Sequence, residues 1–243
     1  MKVLLLAGSG ESRRLAHKLA DCPRFEVLAS LAGATRFPKP LPVDTRIGGF
    51  GGYEGEKEFL VEGEFDAVID GTHPFAARIS KRTFQLCDEL SIPYAQILRP
   101  EWTPAEGDDW TMIAAPQDAR EHIPAGANVF LATGRSTLSG FANLADCRLI
   151  CRQIDPPEGP FPFPNGEYLV GRPPFSVEDE IAIFRKFRID ILVVKNAGGA
   201  PSRTKLDAAR SLGIKVLMIE RPAPAGGLVL EDVDAALNWL NEL

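Results

Sequence analysis

The sequence predicts two doubly wound α/β domains, each built on a parallel sheet with helices on both faces. Two observations carry this expectation. Short, almost continuously apolar segments alternate with helical patterns along all 243 residues, which is how strands buried on both faces read. The chain also repeats its own grammar, in order, from one half to the other.

The first half opens with Val3-Leu4-Leu5-Leu6-Ala7, a strand running into Gly8-Ser9-Gly10 and a helix; the second opens with Val129-Phe130-Leu131-Ala132 before Thr133-Gly134-Arg135-Ser136. A strand over Phe25 to Leu31 follows the first helix. Phe65 to Asp70 and Ile189 to Val194 are the next matching pair, each ending in a polar, glycine-containing turn. Basic helices come next, from about Arg78 to Leu90 and from about Ser202 to Leu212. They lead into the strands Ile92 to Ile97 and Ile214 to Ile219, whose tails match at a constant offset as Arg99-Pro100 and Arg221-Pro222. Asp118-Ala119 and Asp234-Ala235 each begin a late helix. The join is placed near Gly126, giving domains 1–126 and 127–243, with ligands expected between them at the carboxyl ends of the strands. One large sheet with an accidental repeat is the competing reading.

Composition narrows the function. At 45% apolar and 25% charged residues the chain has the balance of an ordinary globular protein. A formal charge of −6 argues against non-specific nucleic-acid binding, which needs clustered cations. No apolar run approaches the ~20 residues of a membrane-spanning helix, and the stretch before Gly8 is too short for a signal-peptide core, so a cytoplasmic protein is expected. Cys22, Cys87, Cys147 and Cys151 form no Cys-x-x-Cys pair and read as free thiols, with no metal site. Two domains of this size bury adequate cores without a partner, which allows a monomer.

Gly8-Ser9-Gly10-Glu11-Ser12 lies between the first strand and first helix, where backbone N–H groups and the helix dipole favour a pyrophosphate. Arg13 stands where the third glycine of a Rossmann-type fingerprint belongs, so a plain helix cap by Ser9 or Ser12 remains an alternative. An enzyme using NAD tends to place an acid at the end of the second strand, whereas NADP calls for hydroxyls and a cation. No acid occurs between Val27 and Val43. NADPH is therefore expected, with Ser30 and Arg36 as candidates for its 2′-phosphate; a solvated loop charge is the other reading of Arg36. Phe37 to Gly55 reads as a Pro- and Gly-rich loop, a lid or simply flexible. Tyr53 and Lys57 match a Tyr-x-x-x-Lys pattern, discounted because Gly55 does not support the helix such a pair must ride on. In Thr72-His73-Pro74 the proline holds His73 extended toward the expected cleft. Proton donation, a cofactor hydrogen bond and turn stabilisation are all open to it.

Taken with Asp70-Gly71-Thr72-His73-Pro74-Phe75-Ala76 and Lys195-Asn196-Ala197-Gly198-Gly199, the first glycine turn resembles the precorrin-6A reductase family of cobalamin biosynthesis. That family's hallmark is Asp-Ala-Thr-His-Pro-Phe-Ala, with Gly71 here in place of alanine. Its Lys-x-Ser-Gly-Gly segment has Ala197 in place of serine. Thr133-Gly134-Arg135-Ser136 resembles its second-domain Thr-Gly turn, and Arg203 and Lys205 follow as its pattern expects. The resemblance ranks cofactor or substrate contact by Thr72, His73 and Pro74 above acid catalysis.

It implies hydride transfer from NADPH to one conjugated double bond of precorrin-6A, giving precorrin-6B, without flavin or metal. The substrate's acetate and propionate carboxylates give a reason for basic groups: Arg78, Lys81 and Arg82 in the first half, and Arg135, Lys195, Arg203 and Lys205 in the second, with Thr133, Gly134, Ser136, Asn196 and Gly198 as further substrate contacts. A solvated helix face is the other reading of Lys81 and Arg82. His73 and Lys195 are the candidate catalytic side chains. The lack of a Tyr-Lys or His-Asp acid pair points to positioning and electrostatics, with the proton drawn from water. A cobalt-precorrin-6A reductase using NADH or NADPH, and a non-catalytic NADP(H) sensor, are the alternatives.

Overall fold

The computed structural model describes residues 1–33 and 39–243. Its chain runs through β1 (Lys2–Ala7), α1 (Gly10–Ala20), β2 (Glu26–Leu31), β3 (Asp44–Ile47), α2 (Tyr53–Gly63), β4 (Ala67–Gly71), α3 (Ala77–Glu89) and β5 (Tyr94–Ile97). It continues through β6 (Trp110–Ile113), a 3-10 helix at Pro116–His122, β7 (Asn128–Leu131), a second 3-10 stretch at Arg135–Leu144, β8 (Arg148–Gln153), β9 (Gly166–Val170) and α4 (Val177–Phe187). The last elements are β10 (Ile191–Lys195), a 3-10 turn at Ala200–Ser202, α5 (Thr204–Leu212), β11 (Lys215–Ile219), β12 (Leu228–Leu230) and α6 (Val233–Glu242).

Two six-stranded sheets result, ordered β12-β5-β4-β1-β2-β3 and β6-β11-β10-β7-β8-β9, with every pairing parallel. The two orders correspond place by place, so the repeat in the sequence is a repeat in the fold. The boundary expected at Gly126 is corrected, however. One unit comprises Met1–Pro100 with Pro222–Leu243, the other Glu101–Arg221. The chain changes unit at each Arg-Pro tail, after Pro100 and between Arg221 and Pro222. It then lays an edge strand on the sheet it has just entered, β6 beside β11 and β12 beside β5.

In the first unit the apolar run of β1 divides between two faces, as strand alternation requires. Val3, Leu5 and Ala7 pack with Leu15, Ala16 and Leu19 of α1 and with Val233, Ala236 and Leu240 of α6. Leu4 and Leu6 pack on the other side with Leu60 of α2 and Leu86 and Cys87 of α3. In the second unit Phe130, Ile150, Leu192, Val194, Val216 and Met218 meet Phe184, Phe187, Leu206 and Ala209 from α4 and α5. The alternate residues Val129, Leu131, Leu149, Cys151, Val193 and Leu217 are just as fully buried.

Two local expectations are overturned between Phe37 and Gly55. Asp44–Ile47 is a strand, polar because it is the exposed edge of its sheet. Tyr53 to Gly63 is a helix despite Gly55. That glycine is there because a Cβ would lie 2.1 Å from the carbonyl oxygen of Phe50. Tyr53 and Lys57 therefore do share a helix face, but both bind Glu89, the tyrosine hydroxyl at 2.8 Å. The hydrogen bond to that carboxylate raises the Tyr53 pKa, the wrong direction for an acid–base tyrosine.

Candidate active site

The carboxyl edge of the first sheet gathers three turns. At the end of β1, Ser9 and Ser12 form a reciprocal capping box at the start of α1. The Ser12 Oγ accepts from the N–H groups of Gly8 and Ser9, both at 3.1 Å, and the Ser9 Oγ donates to the carbonyl of Gly71 at 2.7 Å. The cap reading is thus correct for the serines, and the amides of Gly8 and Ser9 are engaged within the turn. A Cβ added at Gly10 would meet nothing within 4 Å, so open space lies over the first helical turn. An anionic group fits there, at the positive end of the dipole.

The Glu11 side chain, expected to face a cofactor, is instead 7% exposed and paired with Arg99 and Arg14. Burial alone would raise its pKa; the Arg99 charge and its own backbone N–H outweigh that and hold it below the usual carboxylate value. Arg13, in the third-glycine position, donates to the carbonyls of Lys39 and Pro40, both at 2.8 Å.

Asp70, the last residue but one of β4, has no solvent exposure. Its Oδ1 accepts the Thr72 N–H at 2.9 Å and its Oδ2 the Tyr94 hydroxyl at 3.0 Å, which fixes the entry to the Thr72-His73-Pro74 turn. The Thr72 hydroxyl lies 3.3 Å from that of Ser80, while Pro74 is buried and His73 exposed. His73 Nδ1 accepts the Phe75 N–H at 3.2 Å, so the neutral ring carries its proton on Nε2. Gly71 is no neutral replacement for alanine in this chain. A Cβ there would stand 2.6 Å from Ser12 Cβ and 3.3 Å from the Leu6 carbonyl oxygen. Gly71→Ala is expected to cost about 1–3 kcal/mol of stability, read as a lower urea midpoint; an unchanged midpoint would show that α1 shifts freely.

At the end of β2, Ser30 is 6% exposed and its hydroxyl accepts from Arg46 at 2.7 Å. Arg36 lies outside the described residues. Arg46 was not among the residues singled out from the sequence; it lies in the stretch that reads as loop and reaches Ser30 only through the β2–β3 pairing.

The second sheet's carboxyl edge carries the other candidates. Lys195 is half-buried at the end of β10, and desolvation pushes its pKa below the ordinary lysine value. Gly198 and Gly199 adopt φ of +67° and +85°, a backbone that favours glycine. Asn196, expected to meet substrate, is committed to the fold. Its Oδ1 accepts the Trp102 N–H at 2.9 Å, and its Nδ2 donates to Glu101 Oε2 and the Trp102 carbonyl. Arg203 is likewise compensated, 3.4 Å from both Asp108 and Asp207. Lys205 donates to the Ser202 carbonyl and stands 5.6 Å from the Trp102 ring centroid. Arg82 is held by buried Glu56.

Gly134, at φ +78°, starts the 3-10 stretch that exposes Arg135 and Ser136. Arg78 and Lys81 are exposed on α3. Thr133 Oγ1 and Gln153 Nε2, at the carboxyl ends of the adjacent strands β7 and β8, are buried without a hydrogen-bond partner. Gln153 had no signal in the sequence, being the last residue of a short strand that also carries Arg148 and Arg152.

A glycine turn between a first parallel strand and an open helix amino terminus, on a sheet of this order, defines a Rossmann-like α/β protein. Residues 2–241 match the family model described as Precorrin-6x reductase CbiJ/CobK, and the chain belongs to that family. It is 45% identical over 245 residues to a precorrin-6A reductase of Rhodococcus erythropolis, covering 100% of this chain and 98% of that one. A solved structure titled CobK precorrin-6A reductase superposes with a TM-score of 0.95 at 39% identity, covering 100% of this chain and 96% of that one. A cobalt-precorrin-6A reductase of Priestia megaterium is 27% identical, over 98% of this chain and 97% of that one.

Proposed function

We propose that this protein reduces precorrin-6A to precorrin-6B with NADPH, in the cytoplasm, as a step of cobalamin biosynthesis. The observation that carries the proposal is the end-to-end likeness to precorrin-6A reductases. The much lower identity to a relative acting on the cobalt-containing substrate favours the metal-free macrocycle. The choice of NADPH rests on the acid-free end of β2, where the Ser30 hydroxyl sits beside a cation. Arg36 is a further candidate for the 2′-phosphate.

When bound, the nicotinamide cofactor supplies the hydride. The start of α1 at Gly10 would receive its pyrophosphate, where a Cβ would meet nothing within 4 Å, and the turn fixed by Asp70 would present Thr72 and His73 beside it. His73 offers an Nε2–H as hydrogen-bond donor. Arg78 and Arg135, exposed and unpaired among the described residues, are the cations available to substrate carboxylates. Lys195 adds a partly desolvated ammonium at the second sheet's edge. Reduction of the double bond needs one hydride and one proton, and water is the proton source this reading assigns.

The test is NADPH oxidation with enzymatically prepared precorrin-6A, beside NADH and cobalt-precorrin-6A controls. Substrate-dependent NADPH loss with a matching change in the macrocycle spectrum supports the proposal. Cofactor binding without consumption overturns it in favour of a sensor. In the same assay His73→Ala and Lys195→Ala are each expected to lower single-turnover rates by less than about a hundredfold, the lower end of what a general acid contributes. A larger loss with both ligands still bound would make that residue the proton donor.

A further inference from the structure

Among the described residues Arg46 is a cation without an acid. Its Nη1 donates to Ser30 Oγ at 2.7 Å and to the Gly48 carbonyl at 3.1 Å, and its Nη2 donates to the Gly49 carbonyl at 3.0 Å. The guanidinium lies 4.3 Å from the centroid of the Phe50 ring and 5.0 Å from that of Phe59. Every one of these partners is neutral. Arg82 and Arg99, half-buried in the same unit, each have a carboxylate, Glu56 and Glu11, whereas Arg13 is held by the carbonyls of Lys39 and Pro40.

A guanidinium offers five N–H donors. The three bonds above leave the Nε–H and one Nη2 hydrogen unassigned among the described residues. The Ser30 hydroxyl accepts from Arg46 and so keeps its own hydrogen to donate. Ring contacts and carbonyls hold the fork in place at little further entropic cost, which is how a preorganised anion site is built. Its location is specific as well. Arg46 on β3 is the register partner of Ser30 on β2, one residue before the end of the strand where a nucleotide-binding sheet reads the adenosine ribose.

We propose that Arg46, with Ser30, binds the 2′-phosphate of NADPH and is the residue that sets the preference over NADH. This rests on the NADPH reading above and adds to it a cation different from Arg36. The bland alternative is that Arg46 only pins the Gly48-Gly49 turn onto Phe50. A purely structural arginine would affect both cofactors alike, whereas a phosphate ligand affects one.

The experiment is equilibrium binding of NADPH, NADH and 2′,5′-ADP to the full chain, for the wild type and for Arg46→Gln, Arg46→Lys and Arg36→Ala. Arg46→Gln should weaken NADPH and 2′,5′-ADP by about tenfold or more, the scale of a charge-assisted hydrogen bond, and leave NADH within about twofold. Arg46→Lys, which keeps the charge without the fork, should fall between. The retained NADH affinity reports that the variant is folded. If the wild type prefers NADPH and Arg46→Gln keeps that preference, or loses both cofactors equally with Arg46→Lys doing the same, the assignment to Arg46 is overturned while the NADPH reading stands. If the wild type itself does not distinguish the two cofactors, the NADPH reading fails, and this inference with it.

Discussion

A chain shortened to residues 1–221 will lose the cooperative folding of its first unit, and the fragment 1–126 will not fold at all. The reason is the double crossing at Pro100 and Pro222. β12 pairs with β5, the Leu98 N–H donates to the Leu230 carbonyl at 2.8 Å, and Val233, Ala236 and Leu240 close the core over α1. Burying a Val or Leu side chain is worth about 1.5–3 kcal/mol. Exposing Val233, Leu240 and the faces they cover, and stripping the edge of β5, removes most of the ~5–15 kcal/mol that holds a domain folded. Fragment 1–126 adds a second fault, since β6 and the 3-10 helix after it belong to the other unit. The surface uncovered on α1 is the back of the helix whose first turn is the proposed pyrophosphate site, so NADPH affinity should disappear with the fold.

Urea denaturation followed by circular dichroism, with NADPH titration of the same samples, measures this. A cooperative transition of 1–126 near the full-length midpoint would overturn it. The complementary protein, residues 1–100 joined to 222–243, should fold and bind NADPH if the linker makes up the dozen or so residues that a parallel crossover needs.

That crossing shows where reading by pattern stops. The continuous apolar runs of Val3 to Ala7 and Ile191 to Val194 identify strands covered on both faces, because alternation on two buried faces leaves no polar position. The repeat was legible for the same reason, each pattern being local. Which sheet an edge strand joins is not local. Trp110–Ile113 and Leu228–Leu230 carry the same pattern whether they pair with β5 or β11, and only the register decides. The helix α2 was hidden by Gly55, whose purpose is an approach to Phe50. The glycine turn before α1 could be placed from the sequence, since strand, turn and helix are contiguous. Asn196 could not be separated from a ligand-binding residue, because its partners Glu101 and Trp102 are brought in by folding. Arg46 escaped for a similar reason, as its meeting with Ser30 depends on strand pairing.

In the second unit, Glu180→Ala is expected to cost about 3–5 kcal/mol, the scale for leaving one member of a buried ion pair alone. Arg152 and Glu180 meet through two hydrogen bonds of 2.8 Å, with exposures of 8% and 0%. The guanidinium stands 5.0 Å from the Phe130 ring centroid and 4.4 Å from that of Phe175, which leaves little room for water to replace the lost carboxylate. Arg152→Ala should be nearly as costly, because it strands Glu180. The combined Arg152→Met and Glu180→Leu variant should recover most of the loss, since neither charge then has to be desolvated. Chemical denaturation of all four proteins measures these costs; a Glu180→Ala cost under about 1 kcal/mol would mean that the pair behaves as an exposed one. Arg152 directly precedes Gln153, whose buried amide waits beside Thr133 for a partner. If the double variant regains stability but turns over precorrin-6A more slowly with its NADPH affinity intact, the ion pair serves to position the end of β8 for substrate; if turnover also returns, its work is confined to the core.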